Sequence, residues 1–242
     1  MSKTTVIFGR NPVMEALRAE AGIDRILIQK NIEGAGKKVY ALAKQAGIPT
    51  QPVERKVLDR VAGATGHQGV VAYLTDFAYA SVEEMLRVAE LREEPPFLVL
   101  LDGIEDPHNL GAILRSADGA GAHGVIIPKN RAASVTGTVV KSSAGAALHL
   151  PVARVANLSQ TMRLLKERGV WLYGLDMDGA DFASQDYAGG VAIVVGSEGH
   201  GLSKQVRELC DFAVSLPMRG SVASLNASNA AAIVLYECAR HR

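Results

Sequence analysis

Only two cysteines occur in 242 residues, Cys210 and Cys238, and no Cys-x-x-Cys pair is formed. That excludes a disulfide framework, and both thiols are expected as reduced side chains within predicted helices of a cytoplasmic protein. The six histidines are scattered without ligand spacing, so no metal site is expected. No apolar run approaches the roughly 18–20 residues that a membrane helix needs. The opening MSKTTVIFGR has neither the apolar core nor the cleavage site of a secretion signal. No GxxxxGK(S/T) sequence is present, which removes the support for nucleoside triphosphate hydrolysis. Gly119 to Gly124 matches GxGxxG literally, but it follows a predicted helix and precedes the strand Val125-Ile126-Ile127. A dinucleotide fingerprint needs the opposite order, so this segment is a helix end and turn, and an oxidoreductase reading fails with it.

What is present suits a soluble α/β protein. The chain is 48% hydrophobic and 21% charged, enough to bury one or two ordinary cores. The net charge of +1 hides an imbalance. Residues 1–75 carry 11 Lys/Arg against 6 Asp/Glu, and residues 76–242 carry 15 against 19. A small basic piece joined to a larger, slightly acidic one implies that the first meets a polyanion.

The basic piece alternates helix and strand. Asn11-Pro12 has the composition of a helix start, with Asn as N-cap. Strands are predicted at 25–28 and 69–73, and helices around 39–46 and 57–61, which gives a compact α/β/α unit. Its basic residues include Arg10, Arg25, Lys30, Lys37, Lys38, Arg55, Lys56 and Arg60. Phosphate contacts from such groups give salt-sensitive RNA affinity with little sequence choice. His67-Gln68-Gly69 precedes the last strand and reads equally as an RNA-contacting loop or a plain turn. Ser81-Val82-Glu83-Glu84 fits a capping box, and the boundary between the two parts falls near residue 76.

In the second part, the stretch Val191–Leu202 dominates. Five apolar, mostly β-branched residues run directly into Gly196-Ser197-Glu198-Gly199-His200-Gly201, and Ser203 then has the character of an N-cap. A buried strand, a glycine loop and a helix start are where α/β proteins hold cofactors, although a lone glycine motif is weak evidence. Upstream, the strand 97–101 leads through a polar loop to Asn109, placed to cap a helix that carries Arg115 among the small residues Ala112, Ser116 and Ala117. Residues 132–150 are rich in Ala, Gly, Ser and Thr, which suits close packing. Near the end, Ser224, Asn226, Ser228 and Asn229 precede an apolar helix that requires only one cap, so some of them face a ligand. Periodicity by itself points to an open doubly wound sheet.

Three separated segments resemble one family. Asn109-Leu110-Gly111-Ala112-Ile113-Leu114-Arg115, Gly196-Ser197-Glu198-Gly199-His200-Gly201-Leu202, and Leu216-Pro217-Met218 with Ser224-Leu225-Asn226-Ala227-Ser228-Asn229-Ala230 are similar, in this order, to the three motifs of the TrmH/SpoU ribose methyltransferases. The basic N-terminal piece looks like the L30e-like substrate-binding domain of some members. With the His67-Gln68-Gly69 segment and the length, the likeness is greatest to members that methylate a guanosine ribose of bacterial 23S rRNA. The resemblance implies an α/β protein whose C-terminal domain, residues 76–242, is a SPOUT trefoil knot binding S-adenosylmethionine. It also implies residues 1–75 as an L30e-like RNA-binding domain, and a homodimer.

The resemblance further implies roles at the matching positions. Arg115 corresponds to the catalytic arginine. A guanidinium is not readily deprotonated, so it is expected to stabilise the developing alkoxide rather than to act as base. Asn109 would orient Arg115 or substrate, Glu198 would fix Arg115 by a charge-assisted bond, and Ser224 and Asn226 would hold the nucleotide. Gly196, Leu216 and Leu225, with Gly201 and Met218 nearby, resemble the positions around the cofactor's adenosine. A tRNA ribose target and a non-catalytic RNA-binding assembly factor are the competing readings.

Overall fold

The computed structural model describes residues 5–19, 21–74 and 77–242. The boundary expected at residues 75–76 lies outside them. The chain forms two compact units, Met1–Ala78 with Ser134–His149, and Tyr79–Ala133 with Leu150–Arg242. The second segment of the first unit had been counted on sequence within residues 76–242.

The first unit contains β1 (Thr5–Phe8), α1 (Arg10–Arg18), β2 (Ile23–Gln29), α2 (Ala35–Gln45), β3 (Thr50–Val53), α3 (Arg55–Ala62) and β4 (Val70–Leu74). Its four-stranded sheet has the order β1-β4-β2-β3, with β4 antiparallel to both neighbours and β2 parallel to β3. Leu27, Val53, Leu58 and Val71 form one of its cores. The inserted segment contributes α6 (Gly137–Ser142), which packs on β1. A Cβ on Gly137 would come within 1.7 Å of the Val6 carbonyl oxygen, so only glycine permits this approach. Helix α1 begins two residues earlier than the Asn11 cap implied. Gly9, at φ 99°, is its N-cap and offers no side chain, and a distant residue supplies the missing acceptor.

The second unit opens with α4 (Val82–Leu91), whose capping box is present: Ser81 accepts from the Glu84 backbone N–H, and Glu84 accepts from the Ser81 backbone N–H. There follow β5 (Phe97–Asp102), α5 (Pro107–Gly119), β6 (Gly124–Pro128), β7 (Val152–Val155), α7 (Leu158–Glu167), β8 (Val170–Asp181), β9 (Gly190–Gly196), α8 (Lys204–Leu209), β10 (Phe212–Ser215) and α9 (Ala227–Arg240). All six strands are parallel, in the order β10-β8-β9-β5-β6-β7. A doubly wound sheet would seat β8 beside β5. Here β9 takes that place and β8 lies outside it, so periodicity named the layers but not the order. Leu98 and Leu100 of β5 join a core with Met85, Met162, Leu172, Val194 and Val206, while Phe97, Val99 and Leu101, pointing to the other face, are also fully buried. No helix among the described residues is long and apolar enough to cross a membrane.

His123 closes the end of β5. Its ring is fully buried, Nδ1 accepts from the Phe97 backbone N–H at 3.0 Å, and Nε2 donates to Glu94 at 3.0 Å. Burial is the largest influence and lowers its pKa from 6.5, with Glu94 acting in the opposite direction. The folded chain therefore resists a proton that the unfolded chain accepts. Stability is unaffected above pH 6.5 and falls as pH drops from there towards the lower folded value. The melting temperature of the wild type is expected to fall between about pH 7 and about pH 5.5, and His123→Asn should flatten that limb. Equal slopes in the two proteins would remove His123 as the cause.

Candidate functional site

The middle of β8 and the C-terminal ends of β9 and β10 open onto one cavity of about 570 Å³, within the size range that holds small ligands and cofactors. Its floor is apolar, with Leu175, Val195, Leu202, Val214, Leu216 and Leu225. Gly196 ends β9 with no room to spare. A Cβ there would lie 2.2 Å from the Gly201 carbonyl carbon and 2.4 Å from the Leu202 nitrogen. The loop between them is closed by a pair of backbone bonds, Ser197 N–H to the Gly201 oxygen at 3.0 Å and Gly201 N–H to the Ser197 oxygen at 2.9 Å. Gly199 and Gly201 adopt φ of 88° and 63°, which L side chains rarely tolerate. The loop is thus a fixed backbone wall.

Glu198 leaves this wall and meets two amides. Asn226 donates through Nδ2 to Glu198 Oε2 at 3.1 Å and to Asn109 Oδ1 at 3.1 Å, and Asn109 Nδ2 lies 3.5 Å from the same carboxylate oxygen. The three residues come from the start of α5, the glycine loop and the start of α9. Local structure explains how two asparagines are spared for this. Helix α5 is capped by Asp106, whose carboxylate accepts from the His108 and Asn109 backbone N–H groups, with Pro107 at the first helical position. Asn109 is therefore not the cap expected from sequence. Asn226 is the cap of α9, but it caps through Oδ1, accepting from Ser228 N–H at 2.9 Å and Ser228 Oγ at 2.6 Å. Its Nδ2 remains for Glu198.

Of the residues singled out on sequence, Gly196, Gly201, Leu216, Met218, Leu225, Ser224 and Glu198 line the cavity, and Asn109 and Asn226 are bonded to Glu198 at its edge. Arg115 is not in this group. It is exposed on α5, and among the described residues its guanidinium has no ion pair. Among the described residues no Glu198–Arg115 ion pair is formed, and Glu198 meets the two amides instead. Ser203 starts α8 without a capping side-chain bond. Asp102 instead anchors the cap residue itself, accepting the Ser203 N–H at 2.7 Å.

Two polar residues of the cavity escaped the sequence reading. Asp176, near the middle of β8, and Arg207, on α8, both line it and pair at 2.8 Å. A carboxylate within a parallel strand, lining the cavity, was the available signal. The two cysteines carry no chemistry here. Burial pushes the Cys210 and Cys238 thiols up to about 12, so neither forms a thiolate nucleophile at neutral pH.

The chain is similar to known proteins over nearly its whole length. A family model described as the SpoU rRNA Methylase family matches residues 96–236, and one described as RNA 2'-O ribose methyltransferase substrate binding matches residues 6–80. A Bacillus subtilis relative named as a TrmH family tRNA/rRNA methyltransferase is 46% identical over 239 residues, 98% of this chain and 95% of its own. The SpoU methyltransferase AviRb of Streptomyces viridochromogenes, solved with S-adenosylmethionine, superposes with a TM-score of 0.82 at 29% identity, over 97% of this chain and 89% of that one. An S-adenosylmethionine-bound rRNA methyltransferase of Sinorhizobium meliloti gives 0.81 at 26% identity, over 98% and 87%.

Proposed function

We propose a specific reaction for this chain, which belongs to the SpoU family of S-adenosylmethionine-dependent RNA methyltransferases: methylation of the 2'-oxygen of a guanosine ribose in 23S rRNA. The observation that carries the reading is the convergence of Asn109, Glu198 and Asn226 at the edge of a cavity walled by glycine backbone. The cavity fits the cofactor on its own terms. It has apolar walls for an adenine, backbone open to a ligand without a Cβ at Gly199 and Gly201, and the carboxylate of Glu198 to favour a cationic sulfur.

When bound, S-adenosylmethionine supplies an electrophilic methyl group on a positively charged sulfur. Gly196, Gly201, Leu216, Met218 and Leu225 would hold it. The ribose hydroxyl is a weak nucleophile until its proton leaves, and negative charge then gathers on the oxygen. Arg115, free of a carboxylate partner among the described residues, would engage the RNA and stabilise that charge, the proton passing to a phosphate or water. Glu198, Asn109 and Asn226 brace one another, so that Asn109, with Ser224, can orient the nucleotide.

The same proposal takes residues 1–75 as an L30e-like RNA-holding domain. It takes the sheet order as part of a C-terminal trefoil knot, and the working form as a cytoplasmic homodimer. Ile233 and Tyr236, left exposed on α9 where it packs with α5, support the dimer. The rRNA target is supported by the Sinorhizobium meliloti rRNA methyltransferase, which matches both units. The name of the Bacillus subtilis relative keeps a tRNA target as the second reading.

Mapping 2'-O-methyl groups in rRNA and tRNA from cells lacking the protein decides the target. Loss of one guanosine methyl from 23S rRNA, restored by the purified enzyme on that transcript, is the expected result. Loss confined to tRNA would replace the rRNA assignment.

A further inference from the structure

We propose that Arg10, Gln68 and Lys141 form a phosphate-binding site for the RNA backbone on the first unit, with His67-Gln68-Gly69 as the loop that sets it. The proposal rests on the RNA-modifying reading above and adds to it a place on the molecule. It includes a residue, Lys141, that lies within the stretch matched by the methylase model rather than the substrate-binding one.

Gln68 is the first central residue of a tight turn, closed by the Val70 N–H on the His67 oxygen at 2.9 Å, in which Gly69 also has positive φ, as a type I′ turn requires. It adopts φ 51°, in the left-handed region, at a cost of about 1 kcal/mol or more for a residue with a Cβ. His67 enforces it. Its ring is 1% exposed, Nδ1 accepts the Gly69 N–H at 2.9 Å, and Nε2 donates to Asp59 at 2.9 Å. What the strained residue does is grip Arg10 twice. Gln68 Oε1 accepts the Arg10 backbone N–H at 3.3 Å, and its backbone oxygen accepts Arg10 Nε at 3.1 Å. The first bond replaces the cap that Gly9 cannot provide. The second fixes the guanidinium by its inner nitrogen and leaves both terminal nitrogens, the pair that grips a phosphate bidentately, without a protein partner among the described residues.

A second cation joins from the inserted helix α6. Lys141 Nζ lies 4.3 Å from the centre of the Phe8 ring and 3.7 Å from the position a Cβ would take on Gly66. The Gly66 carbonyl oxygen is in turn 4.0 Å from the corresponding position on Gly9. Gly66 is exposed, so beside Lys141 the surface is backbone, while Gly9 is buried beneath the Pro12 ring. Neither Arg10 nor Lys141 has a carboxylate partner among the described residues. The neighbouring acids are committed: Asp59 to His67, and Glu15 to Arg18 and His149. Two cations without carboxylate partners, one fixed by Gln68 and one beside the exposed backbone of Gly66, match a polyanion backbone, not a neutral ligand.

The experiment is a salt titration of binding to two transcripts, 23S rRNA and tRNA, with wild type, Arg10→Ala, Lys141→Met and Gln68→Ala. Each single change is expected to weaken binding about tenfold near physiological salt, and the Arg10 and Lys141 variants should each lower the slope of log K against log salt by about 0.7–0.9. KM for RNA should rise by a similar factor with kcat unchanged. Gln68 is a positioning residue, so Arg10→Ala/Gln68→Ala should bind no more weakly than Arg10→Ala alone, whereas independent structural damage would add. Lys141→Met keeps the stem over Phe8 and guards against a failure of Arg10 variants to fold, which the melting temperature reports. Wild-type affinity and slope in both Arg10→Ala and Lys141→Met would overturn the site while leaving methylation intact. A wild-type protein that bound neither RNA would overturn the site, and one that also methylated neither would overturn the functional reading with it.

Discussion

Arg115→Ala should lower kcat for methyl transfer about 10³-fold, at the upper end of what removing one preorganised donor to a developing oxyanion costs. Affinity for S-adenosylmethionine should stay within about twofold, because Arg115 is not among the residues lining the cavity. The fold should be indifferent too: the side chain is exposed on α5, and both arginine and alanine are good helix formers. Arg115→Lys should recover only a small part of the rate, since a single ammonium lacks the planar fork that spans two acceptors. The measurements are single-turnover rates on saturating RNA, with cofactor binding by calorimetry. Near-normal turnover in the alanine variant would strip Arg115 of its role but leave the family membership, which rests on a match over nearly the whole chain. Because Glu198 is engaged by Asn109 and Asn226 rather than by Arg115, Glu198→Gln tests something different. It would disturb the asparagine pair, not free the guanidinium.

Where local pattern decides structure, the sequence sufficed. The apolar run Val191 to Val195 became the fully buried β9, and the glycines after it became the cavity wall. The capping box at Ser81 is present because its two partners are three residues apart. Errors arose where the deciding partner is distant or where a nearer competitor wins. Helix α1 starts at Arg10 because Gln68, 58 residues away, accepts its first N–H. Asn109 reads as a cap until Asp106, with two carboxylate oxygens and a following proline, takes both exposed N–H groups. Pro52 concealed β3, which is at the edge of its sheet, where a missing N–H is tolerated. The small residues near 137 correctly announced close packing, but nothing local says that the surface they pack on is β1. The order of β8 and β9 is likewise a long-range property, invisible to periodicity.

Gly196→Ala should weaken S-adenosylmethionine binding by at least about 100-fold. The reason is geometric. The added Cβ would lie 2.2–2.4 Å from the backbone of Gly201 and Leu202, and backbone cannot swing aside as a side chain does. Either β9 moves, against neighbours buried on both sides, or the loop 197–201 lifts. The second is easier, since a loop tied by one bridged pair yields before a central strand does. Lifting it displaces the wall that carries Glu198, so the asparagine network should loosen together with the cofactor site. Ligand-induced stabilisation separates this from general damage. At about 100 times the wild-type Kd, bound ligand stabilises the fold by about 2.7 kcal/mol, and a 100-fold weaker site leaves about 0.4 kcal/mol at the same concentration. The melting temperature without ligand should fall by less than that difference implies, because the core residues of β9 are untouched. If the alanine variant instead gained the full ligand-dependent increment, the glycine loop would not be the wall of the cofactor site, and the cavity would have to bind through β8 and β10 alone.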